Sequence, residues 1–382
     1  MSALDDYFAV SANQLAARGR VLLGKIPRDL SPHYGGLVTI TQDRLNRAIE
    51  GFLEFSNPSA RPLPEAVRQR QFRRMVEELD LIESTALTAL NRASDDDLIL
   101  THLVTEICRE VKYPLLSPVV SATSQRYFGI YPGYKLMMVP LTEGHFLLHL
   151  PDIYHELAHP LLAPDNRNDP RIEPFRKAWF DMIEDTSLHF ESEIATVRRG
   201  RSPERLATLL NRAELAWAGP WGVEFFCDVF ATCTVGPAFA WSHLHLHSKR
   251  GALAFSFPQT GSASHPADDA RMQIIVATLD RLGFAADART VADRWAELVQ
   301  VSEPSAPPEF RRCYPPALLK SCVASAIEAT AAIGCDFAAP SMSGRIRRVL
   351  NDAWTELWAQ PTGYLNWERG IVGDLRSAYS PK

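Results

Sequence analysis

The amino-acid sequence predicts a mostly α-helical protein of the α+β class, in which one small β-sheet interrupts long runs of helix. Three observations carry this. Apolar residues recur at three-and-four spacing along most of the 382 residues. Proline-rich joints break that pattern into segments of helical length. One stretch, 127–141, changes character: Phe128, Ile130, Tyr131, Tyr134, Leu136, Met137, Met138 and Val139 gather around Pro132-Gly133, the pattern of two short strands joined by a turn.

Taken in chain order, 41–55, 64–93 and 95–112 read as helices and make residues 1–125 a helical N-terminal region without a helix-turn-helix signature. The strand pair follows at 127–141. Helices resume with 151–162, 173–199 and 203–218, then a strongly apolar run from Trp221 to Trp241. Residues 266–283, 287–301, 315–332 and 343–360 also carry helical periodicity, and Ser302-Glu303-Pro304-Ser305-Ala306-Pro307 reads as a linker. This divides the chain into a helical region 1–125, a core 126–301, and a linker with helical C-terminal region 302–382. There is no internal repeat and no low-complexity tract.

Composition narrows the function classes. With 46% hydrophobic and 22% charged residues the chain can bury a sizeable core, and a net charge of −5 leaves no basic footprint for nucleic acid. Met1-Ser2-Ala3-Leu4-Asp5-Asp6 lacks the positive-then-apolar pattern of a signal peptide, and no run of eighteen uncharged apolar residues occurs. The expectation is a cytoplasmic protein without membrane insertion. Six scattered cysteines fit reduced thiols rather than a disulfide framework or a zinc ribbon.

The chemistry concentrates in His155-Glu156-Leu157-Ala158-His159, a match to HExxH. Residues four apart lie on one face of a helix, so both imidazoles can reach a single ion. Glu156 leaves the helix about 100° from His155, where a carboxylate can take a proton from water activated by a metal. Two histidines leave a catalytic zinc one protein ligand short. Glu224 and Asp228, four apart and the only acids in the apolar 221–241 run, share one face of a buried helix. A buried carboxylate is nearly always paired, protonated or metal-bound. Glu224 is thus the candidate third ligand, and Asp228 a candidate partner for the second ring N–H of a ligating histidine; an acid-bearing helix N-terminus is the other reading of the pair. Further on, His265 and Arg271 flank Pro266, Asp268 and Asp269 at the start of a helix, where an imidazole and a cation suit an oxyanion.

Taken together, HELAH, then Glu-x-x-x-Asp, then His-Pro-x-x-x-x-Arg resemble, in order, the motifs of the gluzincin-type zincins that include the HtpX heat-shock peptidases, the CAAX prenyl endopeptidases and the BepA chaperone-protease. The resemblance covers roughly residues 130–285. It implies a zincin-like metallopeptidase core holding one Zn2+ per chain through His155, His159 and Glu224. Glu156 would be the base, Asp228 the partner of a ligand, and His265 and Arg271 contacts to the transition state. It also implies a protein or peptide substrate, with residues 135–139 as the candidate edge strand for pairing with its extended backbone. The sequence departs from the family at Cys227, where the family carries a small residue, and it has none of the membrane spans of the HtpX and prenyl-type members, so their substrates do not carry over. The competing whole-protein reading is a catalytically silent zincin-like scaffold that binds a partner. Two further features stand outside the motifs: Cys313, which as a thiolate could cap the ion, and His243, His245 and His247, whose alternation suggests three solvated imidazoles on one face of an extended segment, or a second metal site.

Overall fold

The computed structural model describes residues 3–57, 64–124, 127–199, 203–251, 253–258, 265–303 and 305–380. The fold is mostly α with one open three-stranded sheet. The chain divides into two compact units: Met1–His102 with Pro118–Leu141 and Tyr379–Lys382, and Leu103–Ser117 with Thr142–Ala378.

In the first unit, α1 (Ala3–Leu23) packs along α2 (Gly35–Phe55), and α3 (Glu65–Leu81) runs through a π-helical turn, Ile82–Leu87, into α4 (Thr88–Asn91). Leu45, Phe52, Leu79, Ile82 and Ala86 close the core between them. At the start of α5 (Asp95–Glu110) the Asp97 carboxylate turns inward, accepting the Ala122 N–H at 2.6 Å and the Ser94 hydroxyl at 3.0 Å. That bond ties the helix to β1 (Val119–Ser124), whose partners are β2 (Gly129–Tyr131) and β3 (Leu136–Pro140).

The hairpin expected in 127–141 is there: β2 and β3 are antiparallel, with Ile130 opposite Met137, around a tight turn that ends on Lys135 at φ 50°. What the pattern did not disclose is β1, which pairs in parallel with β3, Val120 opposite Met137. The strand order β1-β3-β2 puts β3 in the middle. Residues 135–139 therefore offer no open edge for an extended substrate, which corrects that expectation: the backbone groups of β3 are paired on both sides.

The second unit is helical. After α6 (Asp152–Leu162) come α7 (Glu173–Val197), α8 (Pro203–Ala216), α9 (Gly222–Val235), α10 (Pro237–Arg250), α11 (Asp268–Arg281), α12 (Ala285–Ser302), α13 (Pro308–Cys313), α14 (Pro316–Ala332), α15 (Arg345–Ala359) and α16 (Tyr364–Tyr379). Helix α9 lies at the centre, packed by α6, α7, α10, α11, α14 and α15. It is buried on every side from Glu224 to Val235, as its almost wholly apolar sequence demands. Its start needs Gly222, because a Cβ there would stand 2.5 Å from the Trp217 carbonyl and 3.1 Å from Met182. The run from 221 to 241 is two helices, broken at Gly236 with φ 79°; only glycine takes that conformation without strain.

The break also corrects the reading of His243, His245 and His247. They lie on α10, not on an extended segment, so the period-two alternation splits them between faces. His243 and His247, a turn apart, are buried against Asp268 and the Trp295 ring: His247 Nδ1 lies 2.7 Å from Asp268 Oδ2, and His243 Nε2 lies 3.1 Å from the Asp268 carbonyl. His245 instead sits beside His149, with ring centroids 5.1 Å apart.

Candidate metal centre

Helix α6 begins where the Asp152 carboxylate accepts the Ser242 hydroxyl of α10 at 3.1 Å. Every residue from Asp152 to Ala158 is buried, so over nearly two turns the helix is enclosed on all sides, with α9 as its main packing partner. The i, i+4 spacing then sets His155 and His159 edge to face, ring centroids 5.1 Å apart, and His155 also stacks on Phe239 of α10 at 5.9 Å.

Opposite them α9 presents three polar side chains within little more than one turn. Glu224 reaches both imidazoles through their outer nitrogens: its carboxylate oxygens lie 3.3 Å from His155 Nε2 and 3.8 Å from His159 Nε2. Asp228 Oδ1 stands 2.9 Å from His155 Nδ1, on the far side of that ring, although the ring N–H is not well aligned for a hydrogen bond along this contact. Cys227 Sγ is 3.6 Å from His159 Nδ1. From the start of α11, Arg271 enters the same cluster and grips Asp228 with two bonds, Nε at 2.8 Å and Nη2 at 2.6 Å. His265 Nε2 is 3.9 Å from Glu224 Oε1 on a side chain that remains 59% exposed, so it borders the open side of the cluster.

The structure thus brings together six of the seven residues singled out by sequence at measured contacts: His155, His159, Glu224, Asp228, His265 and Arg271. Glu156, the seventh, is buried on α6 and feels the charges of His155, Glu224, Asp152 and Arg271. Arg271 directs Nε and Nη2 at Asp228, and its nearest approach to Glu224 is 3.8 Å. Cys227 is what sequence reasoning passed over, noting it only as a departure. The signal that could have found it was its position, three residues after Glu224 and next to Asp228, on the same helix face.

Burial alone would neutralise every group here, and the direction of each shift shows which neighbour resists. For Glu224, burial is outweighed by His155, Arg271 and His159, which pull its pKa down to about 2. For His155, burial is outweighed by Asp228 and Glu224, which push it up to about 10. Asp228 is driven far below the usual carboxylate range because Arg271 and His155 overcome its burial. For Glu156 burial wins: only partly offset by His155 and Arg271, and reinforced by Glu224 and Asp152, it lifts the pKa to about 7. His159 falls to about 4 through burial and the neighbouring His155 charge.

Donor set and charge both fit a divalent metal. His155, His159 and Cys227 can each aim one ligand atom at a common point, all within 4.8 Å of one another, and they are the group of this kind among the described residues. Around a tetrahedral ion with bonds of roughly 2.0–2.1 Å, ligand atoms stand about 3.3 Å apart; the separations of Glu224 from the two Nε2 atoms, 3.3 and 3.8 Å, are close to that edge. Asp228 and Arg271 cancel as a bonded pair, which leaves Glu224 as the carboxylate facing both imidazoles. Cys313 is no member of the group: it is buried under α8, its carbonyl accepts the Trp217 indole N–H at 2.9 Å, and burial holds its thiol up at about 12. All six cysteines are free thiols.

No protein-family model, no curated protein and no solved structure matches this chain. Among the described residues, no helix is long and apolar enough to cross a membrane.

Proposed function

We propose that this chain is a zinc-dependent peptidase that hydrolyses peptide bonds of a protein substrate, with one zinc per chain held by His155, His159 and Glu224. One observation carries the reading: Glu224, from a separate helix, turns its carboxylate to the Nε2 atoms of both histidines of the HExxH helix. The order of the three motifs, which resembles that of gluzincin-type peptidases, supports it.

Zinc bound there supplies a Lewis acid that polarises a carbonyl and lowers the pKa of water. The protein's own groups do the rest. Glu156, buried on the helix that carries both histidines, takes the proton from the attacking water and returns it to the departing amine. Asp228 faces Nδ1 of His155 and keeps Nε2 toward the ion. Arg271 fixes Asp228. His265, exposed at the open side and 3.9 Å from Glu224, would donate to the carbonyl oxygen as negative charge develops on it.

The test combines metal and activity. Purified protein should carry about one zinc per chain, and Glu156→Gln should keep the metal while cleavage of a partner trapped by that variant in cells is lost. Undiminished cleavage by Glu156→Gln removes the proposed base. A zinc-loaded wild type that holds a partner and never cuts it turns the assignment toward a binding scaffold.

A further inference from the structure

The two histidines of α6 are not served alike. Each has one ring nitrogen toward Glu224 and the other toward the next turn of α9, but His155 Nδ1 meets the Asp228 carboxylate at 2.9 Å while His159 Nδ1 meets the Cys227 sulfur at 3.6 Å. A histidine that binds metal through Nε2 must carry its proton on Nδ1, and that N–H nearly always has an acceptor that fixes the ring. Sulfur is a weak acceptor, and 3.6 Å is a normal length for a bond to it. Cys227 is fully buried and so cannot trade this contact for water.

We infer that Cys227 is the positioning residue of His159: its Sγ accepts the Nδ1–H, locks the ring with Nε2 toward Glu224, and stays off the metal. This rests on the metal-centre reading above. The sulfur is also close enough to be a ligand itself, since His155, His159 and Cys227 can converge on one point. Against ligation stands the side it approaches from. Sγ reaches the Nδ1 edge of His159, whereas Glu224 faces the Nε2 edges of both rings, so the rings already share a donor on the other side. Adjacent residues of one helix then serve the two imidazoles, Asp228 for the first and Cys227 for the second.

Zinc-loaded full-length protein decides between the roles by zinc K-edge X-ray absorption. The expected spectrum has only nitrogen and oxygen neighbours, at about 2.0–2.1 Å; a sulfur neighbour at about 2.3 Å overturns the inference and leaves the metal centre standing. Wild type that binds no zinc brings down the metal-centre reading, and the inference with it, and metal analysis alone shows which has failed. Chelator competition then compares variants: Cys227→Ala should loosen zinc about tenfold, and Cys227→Ser, whose hydroxyl still accepts, should recover most of that loss. Equal affinity in Cys227→Ala and wild type overturns the inference. Should the alanine variant not fold, nitrogen-15 spectra of the wild-type histidines separate the same two roles: a proton on His159 Nδ1 is expected, and a metallated Nδ1 overturns the inference.

Discussion

Asp228 and Arg271 are buried together and joined by two hydrogen bonds, with Asp228 Oδ1 also 2.9 Å from His155 Nδ1. Removing one member of such a pair strands the other, at a cost of about 3–5 kcal/mol. Asp228→Asn should therefore lower the unfolding midpoint in urea even with metal removed. It should also weaken zinc binding by roughly 10–100-fold, because His155 loses the group opposite Nδ1; unchanged stability and affinity would deny Asp228 both parts. Glu224→Ala should cost more affinity than Asp228→Asn, since it deletes a donor and not merely a donor's support, and chelator competition ranks the two. These residues were legible in the sequence because their chemistry depends on helical spacing, which a chain displays directly: His155 with His159, and Glu224 with Asp228. The part of Arg271 was not legible. Spacing places its head near the site, but only the fold shows which carboxylate takes the guanidinium. Cys227 was hidden for another reason, since sulfur in an apolar helix looks like packing until a ring nitrogen is seen beside it.

At the scale of elements, the site depends on how closely α9 can begin beside α7 and the Trp217 turn. Gly222→Ala puts a methyl against the Trp217 carbonyl, a backbone atom that cannot swing aside. The expected cost is about 1–3 kcal/mol in unfolding free energy, with weaker zinc binding because Glu224 sits two residues on. A variant as stable and as tightly metallated as wild type would show that the helix start has slack. The junction of α10 and α11 makes a pH prediction. Burial works against the charge of Asp268, but the His247 bond and the nearby His243 and Arg271 charges win and hold its pKa at about 2, below the ordinary 3.8. A carboxylate depressed on folding stabilises the protein above its unfolded pKa, and that contribution is lost as pH falls through the folded value. On the order of 2 kcal/mol should disappear between about pH 4 and pH 2, and Asp268→Asn should flatten that part of the urea-midpoint curve. Periodicity placed most of the helices, though not α1 or α16 and with α2 begun six residues late, whereas β1 was missed because Val119-Val120-Ser121-Ala122-Thr123-Ser124 has too little apolar alternation to announce a strand. Five residues from His243 to His247 were too few to separate a period of two from one of 3.6.

For the whole molecule, the proposed metal site links metal to folding, because its donors come from two helices, α6 and α9, that converge only in the folded second unit. Zinc that binds the folded chain and not the unfolded one adds about 2.7 kcal/mol when free metal is a hundred times its dissociation constant. Chelation should lower the thermal midpoint accordingly, and Glu156→Gln, which keeps the ligands, should show the same drop as wild type. A midpoint indifferent to chelator would mean that the donors do not close on an ion. The grouping of these donors along the chain matters as well. On the proposed reading, an acid for the ion and an acceptor for each imidazole lie within the five residues from Glu224 to Asp228. One residue inserted or deleted inside that stretch swings its two ends by about 100° relative to each other. The segment can therefore drift in spelling but not in length, and a descendant that changed its length would lose the acid and both acceptors in a single event.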